Sequence, residues 1–173
     1  MNRKVLVTGG NGFIGSHVVR KLIAQGDIPI LLIRNSSDMW RVNAIINQVR
    51  TFNVDQNPLN EVFKCEKLSG VINLATYYKK QNSFEDISDM IDTNIKFPSQ
   101  LLQLCKDNNV PIFITAGSYF QYGVSSFLSA PVSSIPRDLY AATKSAFSKV
   151  MEYYSSSPKK LVTTVALVIM LLR

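Results

Sequence analysis

The stretch from Val5 to Leu22, Val-Leu-Val-Thr-Gly-Gly-Asn-Gly-Phe-Ile-Gly-Ser-His-Val-Val-Arg-Lys-Leu, limits what this chain can fold into more than any other. Val5, Leu6 and Val7 form a short apolar run suited to a strand buried on both faces. Gly9, Gly10, Gly12 and Gly15 follow at once, and from Ile14 the apolar residues fall at Ile14, Val18, Val19, Leu22 and Ile23, one stripe of a helix of 3.6-residue period. A glycine turn between a strand and a helix lets the backbone bend sharply and lets a pyrophosphate approach the N–H groups and positive dipole end of the helix. Residues Thr8 to Gly15 satisfy both G-x-G-x-x-G and T-G-x-x-G-x-x-G. The sequence therefore predicts a dinucleotide site at Thr8, Gly9, Gly12, Phe13, Ile14 and Gly15. The bland alternative is a glycine-rich connection with no ligand, and the strand before and helix after weigh against it.

The rest of the chain repeats the same alternation. Gly26-Asp27 marks a turn, and Ile28 to Ile33 reads as a second buried strand with Pro29 at its start. Asp38 to Gln48 reads as a helix, Arg50 to Val54 as a third strand, and Pro58 to Lys67 as a helix with proline in its first turn. Val71 to Ala75 is a fourth strand. Ser83 to Asn109 has helical periodicity with a kink expected near Pro98. Val110 to Thr115 reads as a fifth strand that delivers Ala116-Gly117-Ser118 to its carboxyl edge. Tyr119 to Pro136 is a long loop rich in Ser and Pro, Asp138 starts a further helix, and Leu161 to Leu172 reads as a sixth strand. Right-handed crossovers on that order give an α/β fold, a doubly wound parallel sheet of the Rossmann type in spatial order 3-2-1-4-5-6. At 173 residues the expectation is one domain over 1–173.

Composition narrows the partners. Nineteen Lys and Arg against twelve Asp and Glu give a net charge of +7, but the basic residues are scattered, which weighs against a nucleic-acid partner and fits a surface that favours phosphorylated ligands. Cys65 and Cys105 stand alone without metal spacing and read as reduced packing residues; no metal site is expected. No apolar run reaches the roughly 20 residues of a membrane span, and the amino terminus leads straight into a strand, so the expected place is the cytoplasm.

The chemistry is expected at the carboxyl edge of the sheet. The second strand ends at Arg34, where an acid would accept from a ribose 2′-hydroxyl and an arginine meets a 2′-phosphate, so Arg34 leans to NADP with NAD as the close alternative. Asp55, past the third strand, is expected to meet the adenine edge or to cap the next element. Leu74 and Ala75 end the fourth strand beside the first, where a nicotinamide would rest, and the small Ala75 admits a ring. Tyr140 and Lys144 are four residues apart and so share one face of a helix. An adjacent ammonium favours phenolate, bringing a tyrosine toward neutrality as an acid or base, and the lysine can also hold the nicotinamide ribose. Ser118, at a strand end, offers a hydroxyl to a reacting substrate oxygen. Asn94 lies mid-helix. A solvated helix face is the ordinary reading of an isolated Tyr–Lys pair; here it is joined to the other elements.

Together, the Thr8–Gly15 fingerprint, Asn94, Ser118, Tyr140 and Lys144 resemble the extended short-chain dehydrogenase/reductase family, especially its nucleotide-sugar epimerases and dehydratases. The resemblance runs from about Arg3 to Tyr154. Gly117-Ser118-Tyr119-Phe120-Gln121-Tyr122-Gly123 is similar to the segment in which a Ser or Thr precedes the Tyr of a V-Y-G triplet by four residues, Asn73-Leu74-Ala75-Thr76 to H-L-A-A, and Asp92-Thr93-Asn94 to the helix that supplies a structural Asn. The resemblance implies that Ser118, Tyr140, Lys144 and Asn94 form the catalytic set, with Tyr140 taking a proton from a nucleotide-sugar hydroxyl while hydride passes to NAD or NADP. Two departures qualify it. Tyr119-Phe120 stands where the sugar dehydratases carry Asp-Glu, which argues against 4,6-dehydration and leaves epimerisation or keto-reduction. Val165 to Arg173 does not match the L-R-x-x-x-x-Y-G-P segment that precedes the family's substrate lobe, so that lobe is expected to be absent. The alternative function is accordingly a dinucleotide-binding remnant or interaction module without turnover. An uncharged sixth strand at a sheet edge also invites a homodimer.

Overall fold

The alternation of side chains along the first strand sorts the core into two layers. β1 (Lys4–Thr8) sends Leu6 to one face of the sheet and Val5 and Val7 to the other. The computed structural model describes residues 2–118 and 136–156 and the backbone of 163–169. Within it, β1, β2 (Ile28–Ile33), β3 (Arg50–Asn53), β4 (Gly70–Asn73), β5 (Ile112–Ser118) and β6 (Thr163–Ile169) form one six-stranded sheet in the order β3-β2-β1-β4-β5-β6, as the sequence predicts. Every pairing is parallel, and Leu6 lies opposite Ile30 of β2 and Val71 of β4. Parallel strands covered on both faces read as unbroken apolar runs, which is how they announced themselves.

Leu6, Ile30, Val71 and Phe113 pack under Leu101, Leu102 and Cys105 of α4 (Phe97–Asp107) and Phe147 and Met151 of α5 (Leu139–Ser155). Val5, Val7 and Leu31 pack against Val19 and Leu22 of α1 (Phe13–Ala24), with Val42 closing the layer. Cys105 is fully buried and its thiol is pushed up to about 12 by desolvation, so it is a packing residue as expected; Cys65 is exposed. No helix among the described residues is long and apolar enough to cross a membrane.

Several boundaries differ from the sequence reading. Asp38 to Gln48 is not one helix: a 3-10 turn covers only Asn43–Gln48. Its first half is held open by side chains, because Asp38 Oδ1 accepts from the Trp40 N–H, Asn11 donates to the Asp38 carbonyl and Arg20 to the Arg41 carbonyl, so those carbonyls serve other partners. α2 is shorter than expected, Leu59–Cys65, with Pro58 as its N-cap; Glu66 turns away to pair with Lys4 and Arg50. β4 stops at Asn73, so Leu74 and Ala75 lie past it, and β5 runs on to Ser118. The helix expected over Ser83 to Asn109 is α3 (Phe84–Ile91), a π-helical turn (Asp92–Lys96) and α4. Pro98 has no N–H for the regular ladder, and the wider turn just before it absorbs the defect. Residues 119–135 of the long loop, and Leu161, Val162 and Met170 to Leu172 of the expected sixth strand, lie outside the described residues.

The β1–α1 turn has almost no spare room. Gly9 adopts φ +64°, and a Cβ there would meet Ala75 N at 2.7 Å; a Cβ on Gly15 would lie 2.0 Å from the Gly9 oxygen. Gly12 differs, since its φ −75° and ψ 177° suit any residue and a Cβ would meet one atom, the Gly9 oxygen, at a tight but less severe 3.1 Å. Gly15→Ala is therefore expected to cost about 1–3 kcal/mol, lowering the melting temperature by roughly 2–12 °C, whereas Gly12→Ala lowers it less. Thermal unfolding of the two variants checks this, and equal melting temperatures would overturn the packing argument.

Candidate functional site

β1 turns to β2 on one side and β4 lies on its other side, so the connections after β1 and β4 diverge and leave a crevice at the carboxyl ends of the strands. A cleft of about 1290 Å³ opens there. Its walls carry Thr8, Gly9, Gly12, Phe13, Ile14 and Gly15 from the first turn, Arg34 from the end of β2, Leu74 and Ala75 past β4, Ser118 at the end of β5, and Tyr140 and Lys144 of α5. The two halves of the sequence reading, glycine turn and Tyr–Lys pair, thus face one cavity.

The phosphate-binding end is built from backbone. No side chain caps the N-terminus of α1 and no acidic residue occupies its first turn, so its leading N–H groups and positive dipole end are left to the cleft. Thr8 borders the cleft but spends its hydroxyl inside the protein: it donates to Asn73 Oδ1 (2.7 Å) and accepts from the N–H groups of Leu74 (3.1 Å) and Ala75 (3.0 Å). It therefore fixes where the chain leaves β4. Arg34 is exposed on the cleft wall, and its loop is tied by the Arg34 N–H donating to Ser37 Oγ. Asp55 does not line the cleft; its carboxylate accepts from the Asn35 N–H at 2.8 Å and braces the loop after β2, while Val54 takes the place on the wall. Of the two roles expected of Asp55, adenine contact or capping, the described structure shows its carboxylate engaged by a neighbouring turn N–H.

Asn94 does not line the cleft either. It is 1 % exposed in the π-helical turn, and its amide makes every bond open to it. Oδ1 accepts from the Tyr77 N–H and the Thr76 hydroxyl; Nδ2 donates to the Tyr77 carbonyl and to Thr143 Oγ1. Thr143 in turn donates to the Tyr140 carbonyl at 2.7 Å. Asn94 therefore clamps the post-β4 loop to the turn of α5 that bears Tyr140. A second clamp is the buried carboxylate of Asp86, which accepts from Lys79 Nζ (2.5 Å), the Tyr77 hydroxyl (2.7 Å), and the N–H and hydroxyl of Ser83 (3.0 Å each). Lys79 foremost, with the Ser83 N–H and Tyr77, holds that carboxyl far below the usual range. Tyr78, between the two clamped residues, meets the Tyr140 ring edge-on at 5.0 Å.

Lys144 is 6 % exposed, donates to the Ala116 carbonyl at 3.3 Å and places Nζ 5.7 Å from the Tyr140 ring centroid. Burial pulls its ammonium down to about 8. Tyr140 is pushed up, first by burial and further by Asp138 and Tyr78, with a hydrogen bond from Thr76 acting the other way. The expectation that the lysine alone brings Tyr140 toward neutrality is therefore not met by the protein's own groups: desolvation opposes charge on both. Ser118 is buried at the end of β5, as the strand-end reading required. Sequence reasoning missed Thr76, Tyr78, Arg41 and Asp138 on the cleft wall. Only Asp138 carried a signal, as the N-cap that accepts from the Ala141 N–H.

A family model described as NAD dependent epimerase/dehydratase family matches residues 5–169. The chain belongs to that family. Among its relatives, Protein CapI of Staphylococcus aureus is 32 % identical over 170 residues, covering 88 % of this chain and 49 % of the relative. UDP-glucuronate 4-epimerase 4 of Arabidopsis thaliana is 30 % identical over 166 residues, covering 87 % and 38 %. Among solved structures, UDP-glucose 4-epimerase of Thermus thermophilus in complex with NAD superposes with a TM-score of 0.79 at 27 % identity, covering 95 % of this chain and 54 % of that one. The chain thus spans about half or less of the length of each of these.

The buried Lys144 gives this family member a measurable pH signature. Its folded pKa of about 8 lies below the ordinary lysine value of 10.5, so between those values the unfolded state binds more protons and stability rises with pH; below 8 the whole penalty is present. Lys144→Met is expected to be more stable than wild type at pH 7, on the order of 2–3 kcal/mol, with the gap closing toward pH 10. Urea unfolding at the two pH values checks it, and a gap independent of pH would remove desolvation of Lys144 as its cause.

Proposed function

We propose that this chain binds NAD or NADP across the cleft and serves a nucleotide-sugar epimerase, with Tyr140 as the proton-transferring group. The observation that carries the reading is the convergence of Ser118, Tyr140 and Lys144 on the wall facing the glycine turn. The residues fit a dinucleotide: Gly12 leaves open backbone where a pyrophosphate would lie, and the uncapped start of α1 offers N–H donors. Bound there, the nicotinamide would accept hydride from a sugar carbinol carbon and return it. Two of the relatives named above carry the names UDP-glucuronate 4-epimerase and UDP-glucose 4-epimerase, which supports a UDP-sugar.

In this reading Tyr140 Oη takes the proton from the reacting hydroxyl and later returns it. Ser118 Oγ holds the same oxygen by a hydrogen bond, Lys144 holds the nicotinamide ribose and favours phenolate, and Asn94 keeps the Tyr140 turn in place without touching the substrate. Ala75, tethered through Thr8, keeps the wall small enough for a ring. The outer side of β6 has no strand neighbour in the described sheet, which supports pairing with a second copy.

Two measurements test the reading. Assayed with UDP-glucose or UDP-glucuronate and NAD(P), Tyr140→Phe is expected to lower turnover roughly 100-fold or more while dinucleotide affinity, followed by NAD(P)H fluorescence, stays near wild type. Equal turnover would remove Tyr140 from the chemistry, and absence of saturable NAD(P)H binding would overturn the whole reading. The second concerns the 2′-position. Arg34 occupies the wall at the end of β2 with no carboxylate among Asn35, Ser36 and Ser37, so NADPH should bind tighter than NADH by roughly ten-fold or more. The preference should shrink in Arg34→Ala; equal wild-type affinities would refute it and leave NAD as the cofactor.

A further inference from the structure

We propose that Tyr78 is the platform for the sugar ring of a nucleotide-sugar substrate: its aromatic ring, standing against Tyr140, receives the apolar C–H face of the pyranose whose hydroxyl Tyr140 meets. The inference rests on the reading of Tyr140 given above and deepens it, adding a substrate contact outside the Ser118, Tyr140 and Lys144 set. Tyr78 lines the cleft and stays 53 % exposed. Its ring lies 5.0 Å from the Tyr140 ring, centroid to centroid, with the two planes at 80°.

The placement is imposed from both neighbours in the chain. Asn94 grips Tyr77 through N–H and carbonyl, each at 2.9 Å, and the Tyr77 hydroxyl donates to Asp86 at 2.7 Å. Lys79 Nζ donates to the same carboxylate at 2.5 Å. Asn94 is 1 % and Asp86 6 % exposed, so both anchors belong to the interior. Asn94 also holds Thr143, which donates to the Tyr140 carbonyl. The loop and the helix turn therefore share one fixed reference, and of the three consecutive residues Tyr78 alone lines the cleft.

An aromatic ring held this firmly beside the proposed proton acceptor faces whatever brings a hydroxyl to that acceptor. A pyranose carries its hydroxyls at the rim and C–H bonds on its faces; the weakly positive C–H groups suit the negative face of an aromatic ring, and the contact removes apolar surface of both from water. The nicotinamide has a different place, by Leu74 and Ala75, where Gly9 packs against the backbone of both. Tyr78 lies three residues beyond Ala75 and past the Asn94 clamp, which leaves it to the sugar. Because the ring is already positioned, little ordering entropy is lost when the sugar arrives.

The test uses the full 173-residue chain with NAD+ present. UDP-glucose and UDP are titrated by calorimetry, NADH by fluorescence, and contacts to bound UDP-glucose are read by saturation-transfer difference NMR. In wild type, saturation of the protein's aromatic protons should pass to the sugar C–H protons; saturation confined to the uracil would overturn the proposal without any variant. Tyr78→Ala should weaken UDP-glucose roughly five- to ten-fold while UDP and NADH bind as before, and Tyr78→Phe should keep wild-type affinity for all three. Unchanged UDP-glucose affinity in Tyr78→Ala would overturn the platform, as would an equal loss for UDP, a loss of NADH affinity, or a loss in Tyr78→Phe as large as in Tyr78→Ala. Failure here is separable from failure of the Tyr140 reading. A wild type that binds NADH but not UDP-glucose overturns the platform and leaves the dinucleotide site standing, whereas a sugar-specific loss in Tyr78→Ala with unaltered turnover in Tyr140→Phe keeps the platform and removes the acid–base role.

Discussion

The close approach of α1 to the end of β1 is the constraint on which the rest of the site depends. Gly15 presses its Cα face against the Gly9 carbonyl, and Gly9 in turn packs against the backbone of Leu74 and Ala75. Both ends of the first turn and the segment after β4 therefore meet with no side chain between them. Thr8 completes the junction through hydrogen bonds to Asn73, Leu74 and Ala75. The direction in which the chain leaves β4 is thus set by the same turn that aims the start of α1 into the cleft. From there the dependence passes to Thr76 and Tyr77, through Asn94, to the Tyr140 turn of α5. An error of placement at the glycine turn would propagate to the phenol.

What the sequence made legible follows from this. The strand–glycine–helix unit, the strand order and the shared cleft of Ser118, Tyr140 and Lys144 were readable because each rests on local period or on a spacing along one element. Asp38 to Gln48 misled because its apolar residues fit a helical stripe, while Asp38, Asn11 and Arg20 compete for backbone groups through contacts that no local window contains. Asp55 was open to two readings for a related reason. A carboxylate past a strand end has several N–H groups in reach, and the one on Asn35 took it. Thr76 was passed over because a threonine after Ala75 has no meaning until Asn94 is brought to it in space.

The Tyr–Lys spacing carried a correct position and an incomplete electrostatic inference. Four residues on a helix place the two groups side by side, yet being side by side in a desolvated wall raises the phenol and lowers the ammonium together. Each group alone resists its charge. An ammonium this close to the ring attracts a phenolate in a desolvated wall, so charge on either partner favours charge on the other. The pair is therefore best understood as one coupled titration, in which a charge on either partner lowers the cost of charging the other. Near neutral pH the lysine is the partner already charged, so removal of the tyrosine proton is the event that completes the ion pair. In the proposed mechanism, proton transfer is then governed less by the tyrosine's own acidity than by whether Lys144 is in place and charged when the proton moves.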